Sequence, residues 1–544
     1  MSPNPSNTVF HKSKAQSMIE EIYDAISMAQ HDRRRLNQVV TLAKSVLKME
    51  DADIDQLLDR LVDFHEELQR SQANTAEGAY SIDQCLQPVV DQLVAREQAL
   101  RNDGEQTPWS EARLDCTHRL YVNCPPESEL RCHLLRLLAT VGSEESLRQW
   151  SDMVCGNPPF HRLGMVLVFA PLMQIEFEPP SWLLDELLNN ATSHSQTAPA
   201  VYDLLNYYFR NGKVDVHPAA PRASALVGLL NQLVQQLGKI ESGELPSGAT
   251  PESINQLISD SVALIVALCD SVALLQHHEA MTTLADALQL RHRRVQTEAA
   301  AALARLGIEQ GKTALIALAK EPVARLRVLA YADELGFRNE ISLELQGEIS
   351  LAESHLSIWL AEPEQMGLAP SNIRLVENRE MYWPGYEHPV QCFLFEYFYG
   401  LGDSAHSNIA ICGPMTHAFS ADLKHLSPDE LYAAFAGWQS THQEIFQIAP
   451  ERAETAYPND WRRLVGDLHA EAYDEAEIKM AASFFGDLLL IATATEAGKP
   501  GTAIIDMNSK TWFAAGNPDA PIDWSLAYAI WRGQQMLSSF NEQA

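Results

Sequence analysis

Apolar residues recur every three or four positions through most of the first 345 residues. Ile19, Ile22, Tyr23 and Ile26 make one such stripe. Leu36, Val39, Val40, Ala43, Val46 and Leu47 make a second, and Ile54, Leu57, Leu58, Leu61, Phe64 and Leu68 a third. Charged side chains fill the opposite positions, which is the pattern of amphipathic helices. Residues 71–80 are small and polar and read as a loop. A fourth helix is predicted from about Ser81 to Ala99 on Leu86, Val89, Val90, Leu93 and Val94, and Asn102-Asp103-Gly104 ends it. Thr107-Pro108 is expected to open the next, with the hydroxyl as cap and proline at the first helical position. Residues 1–14, polar and proline-containing, read as a disordered tail before an N-terminal helical region over 15–105.

Between residues 106 and 345 the predicted helices begin to repeat one another. Arg293 to Gly307 and Pro322 to Gly336 share one spacing. Val295 aligns with Ala324, Ala299 with Val328, Leu303 with Ala332 and Leu306 with Leu335. Each run ends on a glycine suited to the left-handed residue that closes a helix. Shorter helices are expected before and between them, on Leu284 and Leu288 and on Leu315, Ile316 and Leu318. Upstream, Leu130, Leu134, Leu138, Val141 and Gly142 carry the same spacing. A helix with Leu147 and Trp150 follows, then Pro158-Pro159 and an apolar helix from about Phe160. Residues 185–275 read as helical but break the rhythm, with polar loops at Asn211-Gly212, His217-Pro218 and 246–250.

The paired helices, the period of 29 residues between Gly307 and Gly336, and the Val-x3-Ala-x3-Leu-x2-Leu-Gly ending resemble HEAT-type repeats. The short variety of phycobilin-lyase-like proteins is the nearest match, best over residues 280–337. The resemblance implies an irregular α-solenoid of HEAT-like helical hairpins over 106–345. Stacked hairpins leave a long ridged surface of the kind that holds other polypeptides. By resemblance alone, a lyase or chaperone-like activity is a further alternative.

After about residue 346 the pattern changes. Val390 to Tyr399 and Asn408 to Cys412 read as strands, with 400–407 as a hairpin loop. Ser427-Pro428-Asp429-Glu430 is a capping box opening a helix whose stripe is Leu431, Phe435, Trp438 and His442. A second helix is predicted over Ala470 to Phe484. Leu488 to Ala494, Thr502 to Asp506 and Thr511 to Ala515 predict a meander, and a last helix carries Trp524, Ala527, Tyr528, Trp531 and Met536. The grouping of strands and helices makes 346–544 an α+β domain. The fold class expected for the whole chain is therefore mostly α, an irregular solenoid followed by an α+β domain.

Charge narrows the partners. The 544 residues hold 72 acidic and 40 basic side chains, a formal net charge of −32. Such a chain repels phosphate backbones and anionic bilayers, so neither nucleic acid nor membrane is an expected partner. The basic runs Arg33-Arg34-Arg35 and Arg291-His292-Arg293-Arg294 are short and read as solvated helix faces. The longest apolar stretch, Leu163 to Met173, falls short of the roughly 20 residues of a spanning helix. The first residues lack the apolar core of a secretory signal. With eight scattered cysteines, this points to reduced thiols and a cytoplasmic setting.

Candidate chemistry is sparse. Cys116, His118, Cys124, Cys132 and His133 include zinc-type donors but lack the tight C-x2-C knuckle, so no metal and no cofactor is expected. Phosphate-cradling and zinc-protease motifs do not occur. In Cys412-Gly413-Pro414-Met415-Thr416-His417 a thiol follows a strand near an imidazole, the raw material of a nucleophile and its base, although Gly-Pro after a strand is ordinarily a turn. His425, His442 and His469 read as surface or helix-face residues. The expected function is thus a non-enzymatic protein–protein interaction scaffold with preference for basic partners. The alternative is an enzyme with Cys412 and His417 in a site of the C-terminal domain.

Overall fold

The computed structural model describes the chain apart from residues 1–13, 30–34, 71–80, 106, 161–163, 247, 402–403, 420–421, 441, 472, 515–522 and 542–544. The expected tail (through residue 13), the polar loop at 71–80 and the arginines 33 and 34 fall outside the described residues. The fold is mostly helical, with two antiparallel sheets in its C-terminal part. It divides into two compact units, residues 1–314 and 315–544.

The first unit runs through α1 (Lys14–Ala29), α2 (Leu36–Ala43), α3 (Asp51–Arg70), α4 (Ile82–Asn102), α5 (Glu111–Asn123), α6 (Glu129–Val141), α7 (Glu144–Gly156) and α8 (Gly164–Phe169). It continues through α9 (Ser181–Asn190), α10 (Ala198–Arg210), α11 (Ala223–Glu241), α12 (Pro251–Leu274), α13 (Met281–Ala287) and α14 (Arg293–Arg305), and the boundary falls within α15 (Glu309–Leu318). The predicted stripes form its core: Ile22, Ile26, Leu58, Leu86, Val90, Leu134, Leu138, Val295 and Leu303 are all fully buried. Packing runs mainly between helices two apart in sequence. The series α2–α4–α6–α8 and α10–α12–α14 form one set of neighbours, and α1–α3–α5–α7–α9 another.

Several boundaries differ from expectation. The second stripe is α2 followed by a 3-10 turn over Lys44–Lys48, and its Val40 and Leu47 are exposed. The helix expected to open at Thr107-Pro108 opens at Glu111, with Ser110 accepting from the Arg113 N–H. Trp109, just before that cap, is buried, with the Arg113 guanidinium over its ring. The helix expected from Phe160 begins at Gly164 among the described residues.

α12 is long and apolar enough, by length and composition, to cross a membrane. No such segment is expected from the sequence, where Leu163 to Met173 reads as the longest apolar stretch; α12 carries Asp260 and Asp270 within its span. Its buried face packs against α10, α11 and α14. There Asn206 of α10 organises a buried polar network. Its Oδ1 accepts from Ser271 Oγ at 2.8 Å and from His217 Nε2 at 2.9 Å, and its Nδ2 donates to the Ala267 carbonyl at 3.1 Å. His217 Nδ1 accepts from the Ala219 N–H.

In the second unit, α16 (Pro322–Glu334) and α17 (Glu348–Leu360) are clasped by one buried guanidinium. Arg325 donates to the Ala319, Lys320 and Ser350 carbonyls, to Glu353 at 2.7 Å and to Ser354 Oγ at 3.1 Å. The glycines expected to close helices do so: Gly307 and Gly336 have φ of +77° and +75°. A four-stranded sheet follows, β1 (Asn372–Met381), β2 (Val390–Leu401), β3 (Ser404–Cys412) and β4 (His417–Ala418), then α18 (Pro428–Gln439). After β5 (Ile445–Ile448), α19 (Pro450–Ala456) and α20 (Pro458–Ala470) come β6 (Tyr473–Phe484), β7 (Asp487–Glu496), β8 (Lys499–Ile505) and β9 (Lys510–Ala514). The unit ends in α21 (Trp524–Asn541).

Two elements correct the expectation. Residues 473–484 are the strand β6, not the end of a helix from Ala470, because β5 and β7 pair with both of its edges. The hairpin loop placed at 400–407 is largely strand: residues 400–401 end β2 and 404–407 begin β3, with Leu401 opposite Ser404.

The second unit uses one plan twice. Helix, four-stranded meander and helix occur as α17–β1–β2–β3–β4–α18 and again as α20–β6–β7–β8–β9–α21, the second sheet being extended to five strands by β5 at the edge of β6. The closing pairs of the two central hairpins have the same spacing, Leu401 opposite Ser404 and Glu496 opposite Lys499. In each copy the first helix covers one sheet face and the last helix the other. Phe393, Phe395 and Ala410 face α17, while Cys392, Leu394 and Ile411 face α18. Leu488, Leu490 and Ile505 face α19 and α20, while Leu489, Ile491 and Ile504 face α21. The last helices pack on each other and share a signature: Tyr432-Ala433-x-Phe435-x-Gly437-x-Gln439 and Tyr528-Ala529-x-Trp531-x-Gly533-x-Gln535.

Candidate functional site

Cys412 and His417 are held by β3 and β4. Strand alternation separates them. His417 lies opposite Ile411, whose side chain faces α18, whereas Cys412, one residue on, packs among Phe393, Phe395 and Ala410 toward α17. The thiol's partner is Thr416 Oγ1 at 3.3 Å. Burial raises the Cys412 pKa and keeps it a thiol. His417 stacks on Trp438 with ring centroids 3.9 Å apart and meets the edge of Phe419, and burial lowers its pKa. Neither hydrogen-bonds the other. Gly413 is fixed by sterics, since a Cβ there would lie 2.0 Å from the Gln391 carbonyl oxygen. The motif is thus a turn into an aromatic nest, with no thiol–imidazole pair.

The helix stripe also needs correction at its end. Leu431 and Phe435 are buried, but Trp438 is half exposed, and α18 stops at Gln439 before His442. His442 sits in the next loop against Phe485, with centroids 4.7 Å apart. His425 and His469 are exposed.

The Cys and His residues of α5 and α6 disperse to separate partners. Cys116 donates to Asp59 of α3. His133 donates from Nδ1 to Asp91 at 2.6 Å and accepts at Nε2 from Gln87, both on α4. Cys132 is buried. Cys124, the C-cap of α5, meets two residues that the spacing did not single out, His65 and Asp83. Chain separations of 59 and 41 residues hid that meeting.

Between α5 and α7 lies an open groove of about 660 Å³. Glu111, Asp115, His118, Gln149 and Asp152 line it over Ala112 and Leu114. Three carboxylates border it, and among the described residues no arginine or lysine lines its walls. Ser110 and Ser143, the N-caps of α5 and α7, fix the helix starts from which these side chains project. His118, weighed in the sequence only as a zinc-type donor, is one of its exposed walls.

Comparison with known protein families, curated proteins and solved structures returns no match.

Proposed function

We propose that the protein is a cytoplasmic, non-enzymatic interaction scaffold whose helical unit holds a basic segment of a protein partner. The acid-lined groove between α5 and α7 carries this reading. Three carboxylates over an apolar floor suit an arginine- or lysine-bearing segment whose alkyl stems lie on Ala112 and Leu114 while its cations meet the walls. The chain's net charge of −32 adds long-range steering toward such a partner.

The packing of helices two apart supports the accompanying proposal that the helical part is an irregular α-solenoid of HEAT-like hairpins. In such a stack, alternate helices form two layers, and grooves open between members of one layer. A groove between α5 and α7, two members of one series, is what such a stack would give.

Binding of a fluorescent arginine-rich peptide to the full chain tests the reading. Anisotropy is expected to report binding that weakens as salt rises. The triple variant Glu111→Gln, Asp115→Asn, Asp152→Asn should weaken it by roughly tenfold or more. The same charge removal at Glu451, Glu454 and Asp467 of the second unit should leave it unchanged. Equal affinity in both triple variants would defeat the groove as the docking site.

A further inference from the structure

In the first unit, three donor atoms of different chemistry converge from three elements. His65 lies on α3, Asp83 in the first turn of α4, and Cys124 at the end of α5. Nε2 of His65 is 3.0 Å from Oδ1 of Asp83. Cys124 Sγ is 3.8 Å from that oxygen and 3.9 Å from that nitrogen. His65 and Cys124 are buried, and the Asp83 side chain is 12% exposed.

A nucleophilic relay would place thiol and carboxylate on opposite nitrogens of the imidazole, so that one orients the ring while the other surrenders its proton. Here both share Nε2, and Nδ1 is buried without a hydrogen-bond partner. The triangle fits a shared ion better. Zinc bonds of about 2.0–2.3 Å put neighbouring donors of a tetrahedral ion roughly 3.3–3.6 Å apart, within the observed spread. Nitrogen, carboxylate and thiolate together suit zinc, whereas calcium and magnesium take oxygen ligands. Thiolate and carboxylate also cancel a divalent charge, so that no net charge is left in the core.

We infer that His65 Nε2, Asp83 Oδ1 and Cys124 Sγ form a structural zinc site that ties α3, α4 and the α5–α6 turn together. On binding, the Cys124 S–H bond breaks, its proton leaves to solvent, and the sulfur electron pair forms the metal bond. The proton that His65 Nε2 directs at Asp83 also leaves to solvent, and the neutral imidazole carries its hydrogen on Nδ1 instead, freeing the Nε2 lone pair. A water would complete the fourth position.

Cobalt titration of the full chain after dialysis against chelator tests the site. The expected result is one cobalt per chain with a thiolate-to-cobalt charge-transfer band, displaced by zinc. The band should vanish in Cys124→Ser, and Asp83→Asn should weaken cobalt binding by roughly tenfold or more. Cys116→Ser and Cys132→Ser should retain the band. Zinc should raise the melting temperature of the wild type and not of Cys124→Ser. Absence of stoichiometric binding in the wild type, or a band that survives in Cys124→Ser, would overturn the assignment. Should Cys124→Ser fail to fold, the wild-type titration and Asp83→Asn still decide the matter.

Discussion

Gly437 of α18 and Gly533 of α21 occupy reciprocal positions in one helix crossing. A Cβ on Gly437 would lie 1.8 Å from the Ala529 carbonyl oxygen, and a Cβ on Gly533 would lie 1.8 Å from the Ala433 carbonyl oxygen. The two backbones touch, and the obstructing atoms are main-chain atoms that no rotamer change can move aside. Gly437→Ala and Gly533→Ala are each expected to destabilise the second unit by about 3 kcal/mol or more, at the upper end for overpacking. Urea denaturation followed by tryptophan fluorescence measures it, and near-wild-type midpoints would refute the tight crossing.

Arg325 presents a different form of rigidity. Its guanidinium satisfies carbonyls beyond α15 and at the start of α17 and pairs with Glu353. Arg325→Ala would remove the donor from these partners and leave the partly buried Glu353 carboxylate unpaired, and a loss of about 3 kcal/mol is expected. Arg325→Lys should recover only part of it, because a single ammonium cannot span the fork. Thermal denaturation of both variants distinguishes them; equal recovery by lysine would mean that charge alone matters.

His217 makes the first unit sensitive to acid. Burial lowers its pKa to about 4, although nearby Asp270 pulls the other way. Unfolded, the ring titrates near 6.5, so below that pH the unfolded chain binds a proton that the folded chain refuses. Stability should therefore be complete above about pH 6.5 and fall as the pH drops toward 4, by up to about 3 kcal/mol from this group. His217→Gln can keep the donor to Asn206 and remove the titration. The difference in unfolding free energy between wild type and variant, measured from pH 4 to 7, should slope accordingly. A pH-independent difference would contradict the assignment.

The thiols differ in access. Burial pushes Cys85 to about 11 and Cys116, Cys132 and Cys392 to about 12, whereas Cys155 is the one described cysteine that is not fully buried. A short iodoacetamide pulse on the native chain should label Cys155 first, and the others only on unfolding. Peptide mass spectrometry reads this directly. Early labelling of Cys412 would show an access route that its packing against Phe393 and Phe395 denies.

Helices were legible where one face alone is buried, as in α1, α3 and α4, and so were the strands of the meander β7–β9. β6 was not. Ala470 to Phe484 is rich in Ala and Glu, and local preference favours helix, yet pairing on both edges overrides it. β1 escaped notice because its edge-strand alternation mixes Arg, Glu and Asn with few apolar residues. The twice-used plan was written in the chain as Tyr-Ala-x-aromatic-x-Gly-x-Gln, 96 residues apart, but loops of unequal length and dissimilar strands obscured it. The meeting of His65, Asp83 and Cys124 left no local spacing to read, because tertiary packing alone brings them together.

The crossing of α18 and α21 is self-complementary, each helix offering the same small residues to the other, as in the contact of a two-fold homodimer. Here both halves belong to one polypeptide. Association that would otherwise rise and fall with concentration becomes intramolecular, so the joint should survive any dilution that leaves the fold intact.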